Sequence, residues 1–525
     1  MDSCFNNLHV AIISSPGMGH LIPALVLANR LAAHHNTSAT VFLVTTAASP
    51  PESNFIQIPL HRNLVRLIQL PPVDISHLVG PTTQVFTQIC LMVRSALPLI
   101  RSAIAAMDRR PDALIADLFC PETAPIAADL GIAAKYVYVP STAWSTALTV
   151  CCPVLDREID GQYVDQPDPL RIPGCEPVRP EDVTEPMLDR NDRQYGEFIG
   201  MGKRYSQFDG ILVNSWEDLE PKTLEAFREN EDLRLIINKI PVYPIGPMRR
   251  PVEPVDVKSD LIMGWLDRQP NESVIFVSFG SGGVLSAEQI TELAWGLELS
   301  QQRFVWVVRP PTKGSIDNAF FSLGTDFDGT LNYNLPDGFT RRTQNRGLVI
   351  PMWAPQAQIL NHPAVGGFMS HCGWNSTLES ITSDVPMIVW PLYAEQRLNA
   401  TLLAEEIGVA LRLRVLSTKE VVGREEIETL VRRLMQHEEG RVMRDKVKHL
   451  KIRAVEGLKN DGSSYKSMCE LLSDIALRKG NMNGSIGCNG VANSQKLEGS
   501  AYENGMIIMH DYFGAEKSGM PPVKM

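Results

Sequence analysis

The feature that most constrains this 525-residue chain is a recurring order: an apolar run of strand length, a turn of small residues, a stretch with helical periodicity, and another apolar run. Leu8 to Ile13 is such a run. Ser14-Ser15-Pro16-Gly17-Met18-Gly19 makes a turn, Ala24 to Ala32 repeats at helical spacing, and Ala39 to Val44 is the next strand. Strand, helix, strand in this order implies a parallel sheet with crossover helices, because parallel neighbours cannot be joined by a tight hairpin. The pattern recurs with Ala113–Ala116 as a strand, Pro121–Leu130 as a helix, and Lys135–Val139 and Ile211–Val213 as strands.

A second series starts after Met248–Asp260, a Pro- and charge-bearing stretch with no helical period. Ser273–Phe279 is its first strand and Ala287–Leu299 its first helix. Phe304–Val308, Leu348–Ile350, Val365–Met369, Met387–Trp390 and Val409–Leu413 follow as strands, and Asn399–Ile407 as a helix stopped by Gly408. The expected organisation is an N-terminal domain over 1–247, a linker over 248–262, a C-terminal domain over 263–479 and a disordered tail over 480–525. Residues 156–192 read as long loops, and 313–334 as a polar insertion.

Composition excludes several classes. With 49 Lys and Arg against 60 Asp and Glu the net charge is −11, which disfavours a nucleic-acid binder that neutralises phosphates. No uninterrupted apolar run reaches the roughly 18–20 residues that span a bilayer, so no integral membrane segment is expected. Nine irregularly spaced cysteines form neither a disulfide framework nor a zinc motif, and Cys151-Cys152 reads as buried packing. The first residues lack a signal-peptide pattern. A reducing, cytoplasmic setting is the expectation.

Ligands of doubly wound sheets bind beyond the carboxyl ends of strands, so the residues just after strands matter most. His20 follows the first strand, at the start of its helix. The positive end of a helix disfavours imidazolium, and a neutral ring is a general base; a capping or packing histidine is the plainer alternative. Asp117 follows the strand Ala113–Ala116. It could orient that histidine or simply cap the next helix. His371-Cys372-Gly373-Trp374-Asn375-Ser376-Thr377 opens a helix with free N–H groups and polar side chains, a place for a diphosphate or an ordinary capped helix. Ser278 and Ser281 flank a similar turn. The pairs Gly17-x-Gly19 and Gly280-x-Gly282-Gly283 do not complete a dinucleotide fingerprint, which argues against a dehydrogenase. Asp326-Phe327-Asp328 sits in the polar insertion and reads as a solvated loop rather than a metal site.

Residues Trp353 to Gln396, WAPQAQILNHPAVGGFMSHCGWNSTLESITSDVPMIVWPLYAEQ, resemble over 44 residues the signature box of plant secondary-product UDP-glycosyltransferases. SPGMGHLIP, DLFCPE, DGILVNSWEDLEP, PVYPIGP and ESVIFVSFGSGG extend the likeness over nearly all of residues 8–475, nearest to coniferyl-alcohol and hydroquinone glucosyltransferases. The resemblance implies a GT-B fold, two facing Rossmann-like α/β domains with a cleft between them and a last helix that packs back on the N-terminal domain. It implies an inverting transfer from UDP-glucose to a small phenolic acceptor, no cofactor, no metal and a monomer. It assigns His20 as base and Asp117 as its partner. Trp353 would stack on uracil, with Ala354 beside it, and Gln356 and Glu379 would hold the ribose. His371, Gly373, Asn375 and Ser376 would hold the diphosphate, assisted by Ser278 or Ser281. Trp374, Glu395 and Gln396 would contact the sugar, with Thr142 near it. The terminal glutamine and Trp374 favour glucose. Glu395 departs from the aspartate of many members but still accepts hydroxyls. Acceptor-binding loops are expected at 86–91, 144–150 and 184–199. Monolignols and related phenylpropanoids are the first expected acceptors, a flavonoid, a xenobiotic phenol or an aniline nitrogen the alternative, and a non-catalytic UDP-sugar-binding protein the rival reading from another class.

Overall fold

The computed structural model describes residues 8–45, 59–61, 63–252, 257–311, 333–414 and 420–488. Seven strands form the first sheet: β1 (His9–Ser14), β2 (Ser38–Leu43), β3 (Val65–Gln69), β4 (Ala113–Asp117), β5 (Ala134–Val139), β6 (Gly210–Val213) and β7 (Val242–Pro244). Six form the second: β8 (Val274–Ser278), β9 (Arg303–Val308), β10 (Gly347–Pro351), β11 (Val365–Ser370), β12 (Met387–Val389) and β13 (Ala410–Arg412). The orders are β3-β2-β1-β4-β5-β6-β7 and β10-β9-β8-β11-β12-β13. All pairings are parallel. Buried strands such as β1 and β4 carry apolar residues on both faces, because helices cover both sides of a parallel sheet.

Each sheet reverses its winding once, between β1 and β4 in the first and between β8 and β11 in the second. Chain leaving adjacent strands in opposite directions opens a crevice at that point. The helix Met18–His35 leaves β1, and the helix Trp374–Ile381 leaves the end of β11. One apolar cluster runs through both halves, joining Val137, Trp144 and Val213 to Phe276, Trp374 and Leu378.

Several elements differ from the sequence reading. The helix Val257–Leu266 starts inside the stretch read as linker, and Leu266 is fully buried. The helix Ser463–Cys488 continues past Gly480, where the composition suggested a tail; residues beyond 488 lie outside the described ones. Its Met468, Leu471, Leu472 and Ile475 join the N-terminal core. Asp474 accepts from Tyr136 Oη at 2.5 Å, and Arg478 donates to Asp209 at 2.7 Å. Docking of this apolar face over Met468–Ile475 holds the helix on the N-terminal half. The helix Asn399–Ile407 is instead an α-helix, Gln396–Thr401, running into a π-helical turn, Leu402–Glu406, before Gly408 at φ 69°.

The helix Val85–Ala105 is long and apolar enough to cross a bilayer by length and composition, against the expectation that nothing in the chain is. Thr87, Gln88, Arg94 and Ser95 interrupt its apolar run, which is why the sequence did not flag it. Ile89, Leu91, Val93, Ala96 and Ile100 pack in the protein core, and Arg94 pairs with Glu122 and Glu197 at 2.8 Å each. The Asp326-Phe327-Asp328 reading lies outside the described residues.

Candidate active site

The first crevice brings a histidine and an aspartate together. His20 is the third residue of the helix Met18–His35, and Asp117 ends β4. Because β1 and β4 are neighbours, residues beyond their carboxyl ends converge although they lie 97 positions apart. His20 Nδ1 stands 3.0 Å from Asp117 Oδ2. Asp117 is buried, and its Oδ1 accepts from Ser15 Oγ at 2.6 Å and from the Phe119 amide at 3.1 Å. A carboxylate held by these donors acts as acceptor toward the imidazole. That places the proton of the neutral ring on Nδ1 and the lone pair on Nε2. The ring edge meets Phe119 at a centroid distance of 5.3 Å. Phe86 follows at 4.9 Å from Phe119, and Phe198 at 6.0 Å from Phe86. An aromatic wall therefore stands beside the histidine.

The second crevice lies at the carboxyl ends of β8 and β11. Buried Ser278 ends β8, and His371 follows β11. The His371 ring sits between two glycines: a Cβ on Gly280 would lie 2.5 Å from Cε1, and a Cβ on Gly373 would lie 2.5 Å from Nε2. Burial pushes the His371 pKa down to about 4, so the ring is neutral at neutral pH. Its Nδ1 is 3.3 Å from Ser370 Oγ. Gly373 precedes the helix Trp374–Ile381, whose first N–H groups have no intrahelical partner. Gln356 Nε2 donates to Ser376 Oγ at 2.9 Å and to Glu379 Oε2 at 2.8 Å, tying these side chains into one cluster. Trp353 is 55% exposed, an indole face open to a ligand, and Ala354 next to it is buried. Ser281 is exposed, and its carbonyl accepts from Arg309.

The two crevices face one another. Asn375 Nδ2 donates to the Gly19 carbonyl, one residue before His20, at 3.1 Å. Ser141 Oγ donates to Glu395 Oε1 at 3.1 Å, and Asn399 Nδ2 reaches both the Cys372 carbonyl at 3.0 Å and Glu395 Oε1 at 3.3 Å. Gln396 Oε1 accepts the Leu392 and Tyr393 amides at 2.9 and 3.1 Å, which fixes the amide and turns Nε2 away from that turn.

Two side chains expected at the sugar are engaged elsewhere. The Trp374 indole is buried and donates to the Asn214 carbonyl at 2.8 Å, so this residue offers the cleft its backbone N–H rather than its ring. Thr142 is fully buried and caps the helix Ala143–Glu158 by accepting the Ser145 amide at 2.8 Å; its neighbour Ser141 makes the contact across the cleft. Ser15, Asn214 and Asn399 were not anticipated. Ser15 and Asn214 directly follow β1 and β6, the position the strand-end rule singles out. Asn399 lies four residues after Glu395 on one helix face. Among the described residues no group of three His, Cys, Asp or Glu is placed to hold a metal ion.

Comparison with known proteins gives concordant likenesses. The family model of UDP-glucoronosyl and UDP-glucosyl transferase matches residues 256–449. Anthocyanidin 3-O-glucosyltransferase 5 from Manihot esculenta is 50% identical over 463 residues, 88% of this chain and 94% of that protein. The crystal structure of TcCGT1 in complex with UDP superposes with a TM-score of 0.83 at 46% identity, covering 90% of this chain and all of that one. The structure of Phytolacca americana UGT2 complexed with UDP-2-fluoro-glucose and pterostilbene gives 0.78 at 38% identity, again over 90% and 100%.

Proposed function

The chain belongs to the UDP-glucoronosyl and UDP-glucosyl transferase family and is a UDP-glycosyltransferase; from that premise we propose that it transfers glucose from UDP-glucose, with inversion, to the hydroxyl of a small phenol. The observation that carries this reading is the His20–Asp117 pair at 3.0 Å, opposite the helix that opens at Gly373 and linked to it through Asn375 and Gly19.

His20 Nε2 takes the proton of the acceptor hydroxyl while Asp117 holds Nδ1–H and stabilises the imidazolium that forms. The acceptor oxygen attacks C1 of glucose from the face opposite the diphosphate. The bond between C1 and the diphosphate oxygen breaks, UDP leaves with the electron pair, and a β-glucoside results. The N–H groups at the start of the helix Trp374–Ile381, with Asn375, Ser376 and neutral His371, receive the growing charge on the diphosphate. Trp353 stacks on uracil, Gln356 and Glu379 accept and orient the ribose, and Glu395, Gln396 and the Trp374 N–H contact the sugar, with Ser278 or Ser281 on the phosphates.

The acceptor class we favour is monolignols and related phenylpropanoids, whose flat rings suit the wall of Phe119, Phe86 and Phe198. The anthocyanidin enzyme among the relatives favours a flavonoid as the second reading. The reading further takes the enzyme as a cytoplasmic monomer. Its support is that the cysteines whose side chains are described are free thiols, as in a reducing compartment. Incubation with UDP-glucose and a panel of phenols, with product mass and linkage determined, tests it. Release of UDP without a glucoside, or transfer to none of the phenols, would overturn it.

A further inference from the structure

Ala394 stands one position before Glu395 and Gln396, and its backbone is left-handed, φ 55°. A residue with a Cβ rarely adopts this conformation unless its surroundings enforce it. Here both polar atoms of the Ala394 backbone are held by one residue of the N-terminal half. The Ala394 amide donates to Glu185 Oε2 at 2.7 Å, and its carbonyl accepts from the Glu185 amide at 3.0 Å. Thr184 Oγ1 donates to the same carbonyl at 3.4 Å.

The segment that carries Glu185 is itself anchored. Asp182, fully buried, accepts from Thr401 Oγ1 at 3.0 Å and from Arg179 Nη1 at 3.1 Å, and it pairs with Arg412. Thr401 ends the short helix that Gln396 begins. Residues 179–187 therefore form a strap gripping that helix at both ends, Glu185 at the turn before it and Asp182 at its last residue.

We propose that Glu185 is a positioning residue for donor-sugar recognition: by holding Ala394 left-handed it aims Glu395 and Gln396 at the sugar. This rests on the reading that those two side chains contact the sugar of UDP-glucose. The strap also leads into the 184–199 segment expected to wall the acceptor, so one stretch of chain serves both substrates.

The test compares KM for UDP-glucose, the preference for UDP-glucose over its C4 epimer UDP-galactose, and the inhibition constant of UDP, which lacks the transferable hexose. Glu185→Ala removes one charge-assisted hydrogen bond and is expected to raise KM for UDP-glucose about tenfold and erode the preference, with UDP inhibition unchanged. Glu185→Gln keeps an acceptor oxygen and should stay near wild type. Adding Ala394→Gly to Glu185→Ala should restore the preference, because glycine adopts the left-handed turn without help. Ala394→Val leaves Glu185 in place but resists that turn, and should lose the same preference. The inference is overturned if Glu185→Ala leaves the preference intact, if it weakens UDP in proportion to UDP-glucose, or if the glycine fails to restore it. A wild-type enzyme that transfers nothing from UDP-glucose would sink the functional reading and this inference with it; one that transfers glucose but is indifferent to Glu185 sinks this inference alone.

Discussion

The two crevices of this molecule are built from the same fold unit yet hold their polar groups differently. In the C-terminal half nearly every candidate residue falls within 44 consecutive positions, and the polar groups are cross-linked before any ligand arrives. His371 is lodged between Gly280 and Gly373, and Gln356 bridges Ser376 and Glu379. In the N-terminal half the candidate chemistry is one imidazole and one carboxylate, 97 positions apart, beside an aromatic wall. The C-terminal half is a preorganised cradle for a polar ligand. The N-terminal half sets an imidazole next to a largely apolar surface, which on the proposed reading suits an acceptor that varies in shape while offering one hydroxyl.

The sharpest way to break this contrast is His20→Ala. Loss of the general base is expected to lower kcat by about 10³-fold while UDP affinity, measured by calorimetry, is unchanged. Equal losses in both would mean that the halves do not divide the work in this way.

The next effect is on stability against pH. The folded pKa of His371 is depressed to about 4 from an ordinary value near 6.5, so between these values the unfolded state binds the proton and the folded state does not. Its contribution is fully present above about pH 6.5 and is lost as pH falls toward 4, roughly 3 kcal/mol in all. Denaturant melts of wild type and His371→Asn across this range should show the shallower slope in the variant; identical slopes would deny the buried neutral ring.

Trp353→Ala probes the one large exposed side chain of the cradle. It should raise the dissociation constant of UDP about tenfold and leave kcat at saturating donor close to wild type. A kcat defect with unchanged affinity would move that ring from nucleotide binding to catalysis. The smallest expected effect belongs to one of the bonds that join the halves, Ser141 Oγ to Glu395 at 3.1 Å. Ser141→Ala should raise KM for UDP-glucose by about two- to fivefold, as the loss of one partly buried hydrogen bond implies. An effect as large as that of Trp353→Ala would make this bridge part of the cradle itself.

Much of this was legible in the chain. Apolar runs alternating with helical stretches predicted parallel sheets, because that pattern has few other ways to bury both faces of a strand. His20, Asp117, Ser278 and His371 were legible as strand-end residues before any partner was known. Thr142 and Trp374 were named, but their side chains turned out to serve a helix cap and a link to Asn214, since a residue's position in a motif does not say which way its ring or hydroxyl faces. The helix Val85–Ala105 was passed over because its polar residues break the run, although its inward face is apolar.

What the sequence determined by itself is therefore local and periodic: which stretches become strands and helices, where turns of small residues fall, and which polar residues stand just beyond a strand. The meeting of His20 with Asp117, the grip of Glu185 on Ala394 and the return of the last helix onto the first sheet came only with the tertiary structure. Each joins residues between 97 and 338 positions apart. Strand order and domain docking set such distances, and no spacing along the chain encodes them.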